Sequence, residues 1–316
     1  MKPHYSRFVC LLAALLAALP SDAQEPETFT LNDFQLRGPV KTCVVKANYG
    51  EERFEFDREG KLVKSTTRYS DSDYDITHYL FEGPWLKERR DEVYRNKDFD
   101  LQTSIAHFYE RDTTGNLLLE KIVSYDRNVQ EQRALEYDPE GRLQRVVRSD
   151  LEGVDETRVE YESYKEEETV TYLLNGVVQK SVRTSHQARG KELLTVELTK
   201  EFLEGEPQRA YEQTREPGGR LIGQTEFAYE AEKNSFKPVS YTLYTYNEDG
   251  LLMEVSTRRG EGSAQPQTRK YVYQMDGSEP GNWIRQVVTP DNAIVVRQIA
   301  YYKPELPKKA ADSIRN

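Results

Sequence analysis

The sequence predicts an all-β protein: one long antiparallel meander of hairpins, curled into a roll or an open, barrel-like single sheet. Three observations predict it. A short turn phrase recurs along the chain, its flanking residues alternate apolar and polar with period two, and no stretch carries convincing helical periodicity. Composition agrees, with 37% apolar and 31% charged residues and a mean hydropathy of -0.81. Typical soluble domains are nearer a quarter charged, so burial is thin, as in a sheet curled on itself. Disorder is the competing reading of such numbers. The 21 Tyr and 11 Phe, set in alternating runs, oppose it.

The amino-terminal stretch has the layout of a secretory signal peptide over residues 1–23. Lys2 and Arg7 form a positive region, Phe8 to Leu19 is an apolar run of 12 residues, and Ser21-Asp22-Ala23 supplies small residues for cleavage. Twelve residues make a helix of about 18 Å, too short for a hydrocarbon core of about 30 Å. The expected mature protein, 24–316, is exported to the periplasm, the cell surface or the medium, with no transmembrane span. Cys10 leaves with the leader, and Cys43, in Thr42-Cys43-Val44-Val45, reads as a small buried strand residue.

The turn phrase is an aromatic, a turn former, two variable residues, Gly, often a basic residue, then an apolar one. It stands as Phe56-Asp57-Arg58-Glu59-Gly60-Lys61-Leu62, Tyr137-Asp138-Pro139-Glu140-Gly141-Arg142-Leu143 and Tyr246-Asn247-Glu248-Asp249-Gly250-Leu251-Leu252. Looser copies run from Arg215 to Leu221 and from Tyr109 to Leu117. Asp or Asn opens a turn by bonding its own backbone, and Gly takes the positive φ that closes a type I turn with a bulge. Leu174-Asn175-Gly176-Val177 and Phe202 to Glu206 read as further hairpins. Residues Thr184 to Glu192 and Gly260 to Gln267 read as loops, Asp91 to Thr103 is ambiguous, and the tail from about 304 to 316 is loose. Turn signals about every ten residues imply roughly fourteen to eighteen strands in a single domain.

The phrase resembles the YD repeat of bacterial Rhs proteins, whose core is Tyr-Asp-x-x-Gly-Arg-Leu; Tyr137 to Leu143 matches every fixed position. Tyr271 to Asp276, Gly281-Asn282-Trp283-Ile284-Arg285 and Arg297 to Tyr302 look like the ending of small exported YD-repeat proteins common in Bacteroidetes. Leu36-Arg37-Gly38-Pro39-Val40-Lys41 is similar to their beginning. The resemblance implies β architecture, an envelope or extracellular setting and carbohydrate binding. It brings no catalytic residues, and the glycines here are more unevenly spaced than in Rhs arrays.

A net charge of -10 with no basic stripe disfavours a nucleic-acid partner, and none is expected. His78, His107 and His186 lack zinc spacing, and His107 reads as a strand face residue. Asp71, Asp73 and Asp75 have the one-three-five spacing of a calcium loop with Glu82 at position twelve. Ile76, however, stands where that loop needs Gly, so a solvated hairpin is the expectation. No phosphate loop, dinucleotide fingerprint or nucleophile elbow is present, and neither cofactor nor metal is expected. The expected function is an exported, non-catalytic binding or scaffold module of the cell envelope, its partner a glycan or an envelope protein. A glycan-acting hydrolase with paired carboxylates is the alternative. The candidate ligand-binding residues are Trp85 and Trp283, which follow turns, with Tyr137 and Tyr246 of the repeat. A Trp in such a place is either a glycan platform or a core anchor, and the usual burial of Trp favours the anchor.

Overall fold

A computed structural model describes residues 26–48, 50–260 and 265–303. The leader expected over 1–23, the tail expected from 304 and part of the loop expected at 260–267 lie outside the described residues. Strands β1 (Val40–Ala47), β2 (Gly50–Phe56), β3 (Leu62–Arg68), β4 (Tyr74–Glu82) and β5 (Trp85–Arg95) open the meander. A two-residue β6 (Asp98–Phe99) folds back on the end of β5, and β7 (Ile105–Arg111) resumes the ladder against β5 itself. The next strands are β8 (Leu117–Ser124), β9 (Gln130–Tyr137), β10 (Leu143–Ser149), β11 (Val154–Tyr164) and β12 (Glu167–Leu174). Longer hairpins follow, β13 (Val177–Arg189), β14 (Glu192–Leu203), β15 (Glu206–Arg215), β16 (Leu221–Glu230) and β17 (Ser235–Tyr246). The ladder ends with β18 (Leu252–Arg259), β19 (Gln267–Met275), β20 (Trp283–Thr289) and β21 (Ala293–Tyr301).

All pairings are antiparallel, and β21 pairs with β1, placing Cys43 opposite Ile299 and Val45 opposite Arg297. The sheet therefore closes into a barrel of 20 strands, with β6 outside the ladder. The all-β meander is as expected. The strand count is higher than turn spacing implied, because turns without Gly, such as that between β8 and β9, also reverse the chain. The loop expected at 184–192 is instead ladder: Gln187 pairs with Leu194 and Ala188 with Leu193, leaving Gly190 and Lys191 as the turn.

Closing a sheet crowds side chains on its concave face and spreads them on the convex one. The register sorts residues accordingly. Cys43, Val45, Leu118, Leu135, Val146 and Val288 share one face and are buried; Leu80, Leu243, Val272 and Ile294 share the other and are exposed. The convex face is charged at mid-strand, where Arg145 spans Glu136 at 3.0 Å and Glu156 at 2.7 Å across three strands. Such a face suits water, since an Arg facing lipid at mid-bilayer would cost about 2–4 kcal/mol.

The segment before β1 lies against the concave face. Thr30 and Asp33 close a capping box on the 3-10 turn Leu31–Phe34. Leu36 then joins Val40, Cys43, Val45, Phe56, Leu62 and Trp283 in the first core. A second core, around Leu86, Tyr109, Leu118 and Leu135, fills the same end of β5 to β10.

Candidate functional site

Because every strand reverses direction, alternate turns share an end of the barrel. The five repeat turns, after β2, β7, β9, β15 and β17, all fall at one end, together with the segment before β1 and the residues after β21. Their chemistry is as the phrase requires. Asp57 Oδ1 accepts the N–H groups of Glu59 and Lys61 at 2.9 Å each, and Asp138 Oδ1 accepts that of Arg142 at 2.7 Å. Gly60 and Gly141 sit at φ 84° and 79°, and each repeat hairpin after β2, β9, β15 and β17 carries a register shift where the strands meet.

The repeats also interlock. The Tyr161 hydroxyl donates to the Leu143 carbonyl (2.9 Å), Tyr246 to Leu221 (2.8 Å), Tyr273 to Leu252 (2.8 Å) and Tyr302 to Phe56 (2.6 Å). Arg142 lies 4.6 Å over the Tyr161 ring and Arg220 5.5 Å over that of Tyr246. Tyr246, the aromatic of one repeat, is thus held by the basic Arg220 and the Leu221 carbonyl of another, and Tyr161 is held in the same way by Arg142 and Leu143.

All four candidate residues reach this turn-rich rim, but they do different things. Trp283 is 2% exposed, a core anchor with Arg297 stacked 3.5 Å above its ring, so it offers no face to a ligand. That corrects its candidacy: the Trp ring is the largest side chain filling the first core. Tyr137 is half-buried and packs on the second core. Trp85 is 49% exposed, with Arg111 4.2 Å over its ring. Tyr246 is half-buried, and burial pushes its hydroxyl up to about 12, so it stays a donor.

Beside Tyr246 lies a cavity of about 480 Å³ that the sequence reading missed. Its lining combines aliphatic Leu194, Ile222 and Leu243, polar Thr214, Thr245 and Asn247, and charged Arg189, Glu216 and Arg220. Gly223 leaves the depression open, since any side chain there would stand between Thr214 and Leu243. The lining carboxylate, Glu216, is bonded to Arg220. The available signal was a glycine inside a strand pattern, which marks a bulge or a close approach.

A second cluster occupies the concave wall. Arg89 Nη2 lies 3.2 Å from His107 Nε2, and His107 Nδ1 lies 2.8 Å from Glu120. A guanidinium only donates, so Nε2 accepts and Nδ1 carries the proton donated to Glu120. Burial alone would raise the Glu120 carboxyl, but the His107 bond and the Arg133 charge outweigh it and hold it below its ordinary value. Asp91 takes the Thr77 hydroxyl at 2.8 Å and Arg89 at 2.9 Å. Arg148 reaches Glu131 at 3.0 Å, extending the chain of pairs to β10. These groups are engaged with one another across neighbouring strands, which makes His107 a wall residue.

Among the described residues no group of three or more His, Cys, Asp or Glu could hold a metal ion. Asp73 instead accepts the Asn96 N–H at 2.9 Å, and Asp75 binds Arg95 at 2.8 Å and Tyr69 at 2.9 Å, as a hairpin tip.

No protein-family model and no curated protein matches the sequence. Among solved structures, a porin-like protein from Bacteroides uniformis ATCC 8492 is 10% identical over 83% of this chain and 96% of that one, with a TM-score of 0.34. The TcdB2–TccC3–Cdc42 complex is 12% identical over 81% of this chain and 16% of that one, at 0.20. A TcdB2–TccC3 structure is 13% identical over 76% and 18%, at 0.13. At these scores none of the three supports a statement about this chain.

Proposed function

We propose that the protein is an exported, non-catalytic binding module of the bacterial cell envelope, a relative of the small YD-repeat proteins, whose ligand is a glycan held in the groove beside Tyr246. The groove carries this reading. Its lining sets the hydroxyl and amide groups of Thr214, Thr245 and Asn247 among aliphatic Leu194, Ile222 and Leu243, a mixture that suits a sugar ring's hydroxyls and C–H face. The export layout and the repeated phrase support the setting.

The test is retention of the mature protein, 24–316, on a panel of polysaccharides from its host, comparing wild type with Gly223→Leu and Trp85→Ala. A Cβ at Gly223 would sit 3.8 Å from Thr214 and 4.0 Å from Leu243, ordinary contacts, so the substitution fills the groove without forcing the backbone. Saturable retention without depolymerisation, weakened about tenfold or more by Gly223→Leu, is expected, in line with the loss of a central contact. Depolymerisation would end the non-catalytic reading. Loss in Trp85→Ala with retention in Gly223→Leu would move the ligand from the groove to the Trp85 ring.

A further inference from the structure

We propose that the rim opposite the repeat turns is a docking surface for a protein partner whose matching face sets apolar pockets among Lys and Arg side chains. At this end, six successive hairpin tips each present an exposed apolar side chain: Tyr69, Leu101, Val129, Leu151, Val177 and Leu203. Leu151 is 82% exposed and Leu203 62%. Isolated exposed apolar residues are ordinary on a protein surface, but a run of six on neighbouring tips is a patterned surface. Alternate strands lie about 9.6 Å apart, so the arc covers roughly 48 Å, half the circuit of the ladder.

The tips are laced together, which separates this rim from a set of loose loops. Lys97 N–H donates to the Ser72 carbonyl at 2.8 Å, tying the first tip to the second. Asp126 N–H donates to the Leu101 carbonyl at 3.1 Å, tying the second to the third. Arg148 joins Glu131 to Asp150 at 3.0 Å each, linking the third to the fourth. Asn175 donates to the Glu156 carbonyl at 2.7 Å and accepts its N–H at 2.9 Å, which secures the fifth. Anchors held in this way lose little freedom on binding.

Charge selects among occupants. The same tips carry Asp71, Asp98, Asp150, Glu152 and Glu204, opposed by Lys97 and Arg127. An acidic rim is repelled by anionic lipid and by a second copy of itself, and is attracted to a basic protein face. The proposal does not rest on the glycan reading, because the groove lies at the other end of the barrel and different variants test each.

The experiment places a photo-crosslinking amino acid at Leu151, at Leu203 and, on the opposite rim, at exposed Tyr164, in the full chain expressed in its own host. The expected result is one protein crosslinked from 151 and 203 and not from 164. Once purified, that protein should bind the mature chain, with affinity falling about tenfold or more in Leu151→Ser/Leu203→Ser and again at high salt. Both side chains are exposed, so the variant keeps the wild-type circular dichroism spectrum. Each of four results would overturn the proposal: no adduct, a dimer of this chain, equal crosslinking from 164, or a partner insensitive to salt. Binding of the purified chain to phosphatidylglycerol or phosphatidylcholine vesicles through these positions would assign the rim to lipid instead.

Discussion

Asp276 and Arg297 show how differently two charged side chains can be housed at the closing seam. Asp276 accepts the Tyr301 hydroxyl at 2.6 Å and N–H groups of Ser278 and Asn282 at 2.9 and 3.1 Å. Burial alone would raise its pKa, but these donors bring it down to about 2. A carboxylate depressed in the folded state stabilises it above the unfolded value of about 3.9. That contribution disappears as pH falls through 2. Asp276→Asn should therefore be less stable than wild type at neutral pH, with the gap closing between pH 4 and 2 in urea unfolding; a constant gap would refute this account. Arg297 is the opposite case, 3% exposed, with Nη2 donating to the Phe34 carbonyl at 3.0 Å and Nε and Nη1 without partners. Burial pushes its pKa down to about 10. Replacing even a buried ion pair by apolar side chains of similar volume is often neutral or stabilising, and Arg297 carries the desolvation cost without a counter-ion to offset it. Arg297→Met should thus leave the thermal midpoint unchanged or raise it, and a clear fall would show that the bond to Phe34 and the stacking on Trp283 together outweigh desolvation.

At the scale of the hairpin, one phrase is used in two kinds of surroundings. The Gly141 turn has open space where a Cβ would go, whereas at Gly60 the Leu31 side chain stands 3.1 Å away. Both take positive φ, which costs an L-residue about 1–2 kcal/mol. Gly141→Ala should lose about that much, and Gly60→Ala more, because Leu31 must also shift; denaturant midpoints of the two variants decide the order. The turn chemistry itself was legible, since Asp, Gly and the flanking alternation act locally. The hairpin at Gly190 was not, because Thr184 to Arg189 is polar and is held in strand by its partners on β14 rather than by its own composition.

For the whole molecule, the decisive contact is between residues 245 apart. Asn282 accepts the Arg37 N–H at 2.8 Å, and its amide donates to the Arg37 carbonyl and to Tyr301, each at 2.8 Å. The two stretches that resemble the beginning and ending of the YD-repeat proteins are thus the two halves of one clasp. Asn282→Ala leaves the Arg37 backbone groups without this partner, at a cost of about 1–3 kcal/mol. Amide hydrogen exchange should speed up along the pairing of β1 with β21 more than in β13 and β14; a uniform increase would show that the clasp does not guard the seam.

The alternation, the turn phrase and the charge balance were enough to determine an antiparallel β meander with a buried Cys43, because strand period and turn geometry are local. Its place after a turn put Trp85 among the candidates, and the repeat phrase put Tyr246 there. Closure, the burial of Trp283 and the groove at Gly223 were decided only by tertiary structure. Each depends on which strands become neighbours, and partner choice is a property of the assembled sheet. His107 makes the point in one residue: its strand is readable from its neighbours in sequence, while its bonds to Arg89 and Glu120 exist only because β5, β7 and β8 lie side by side.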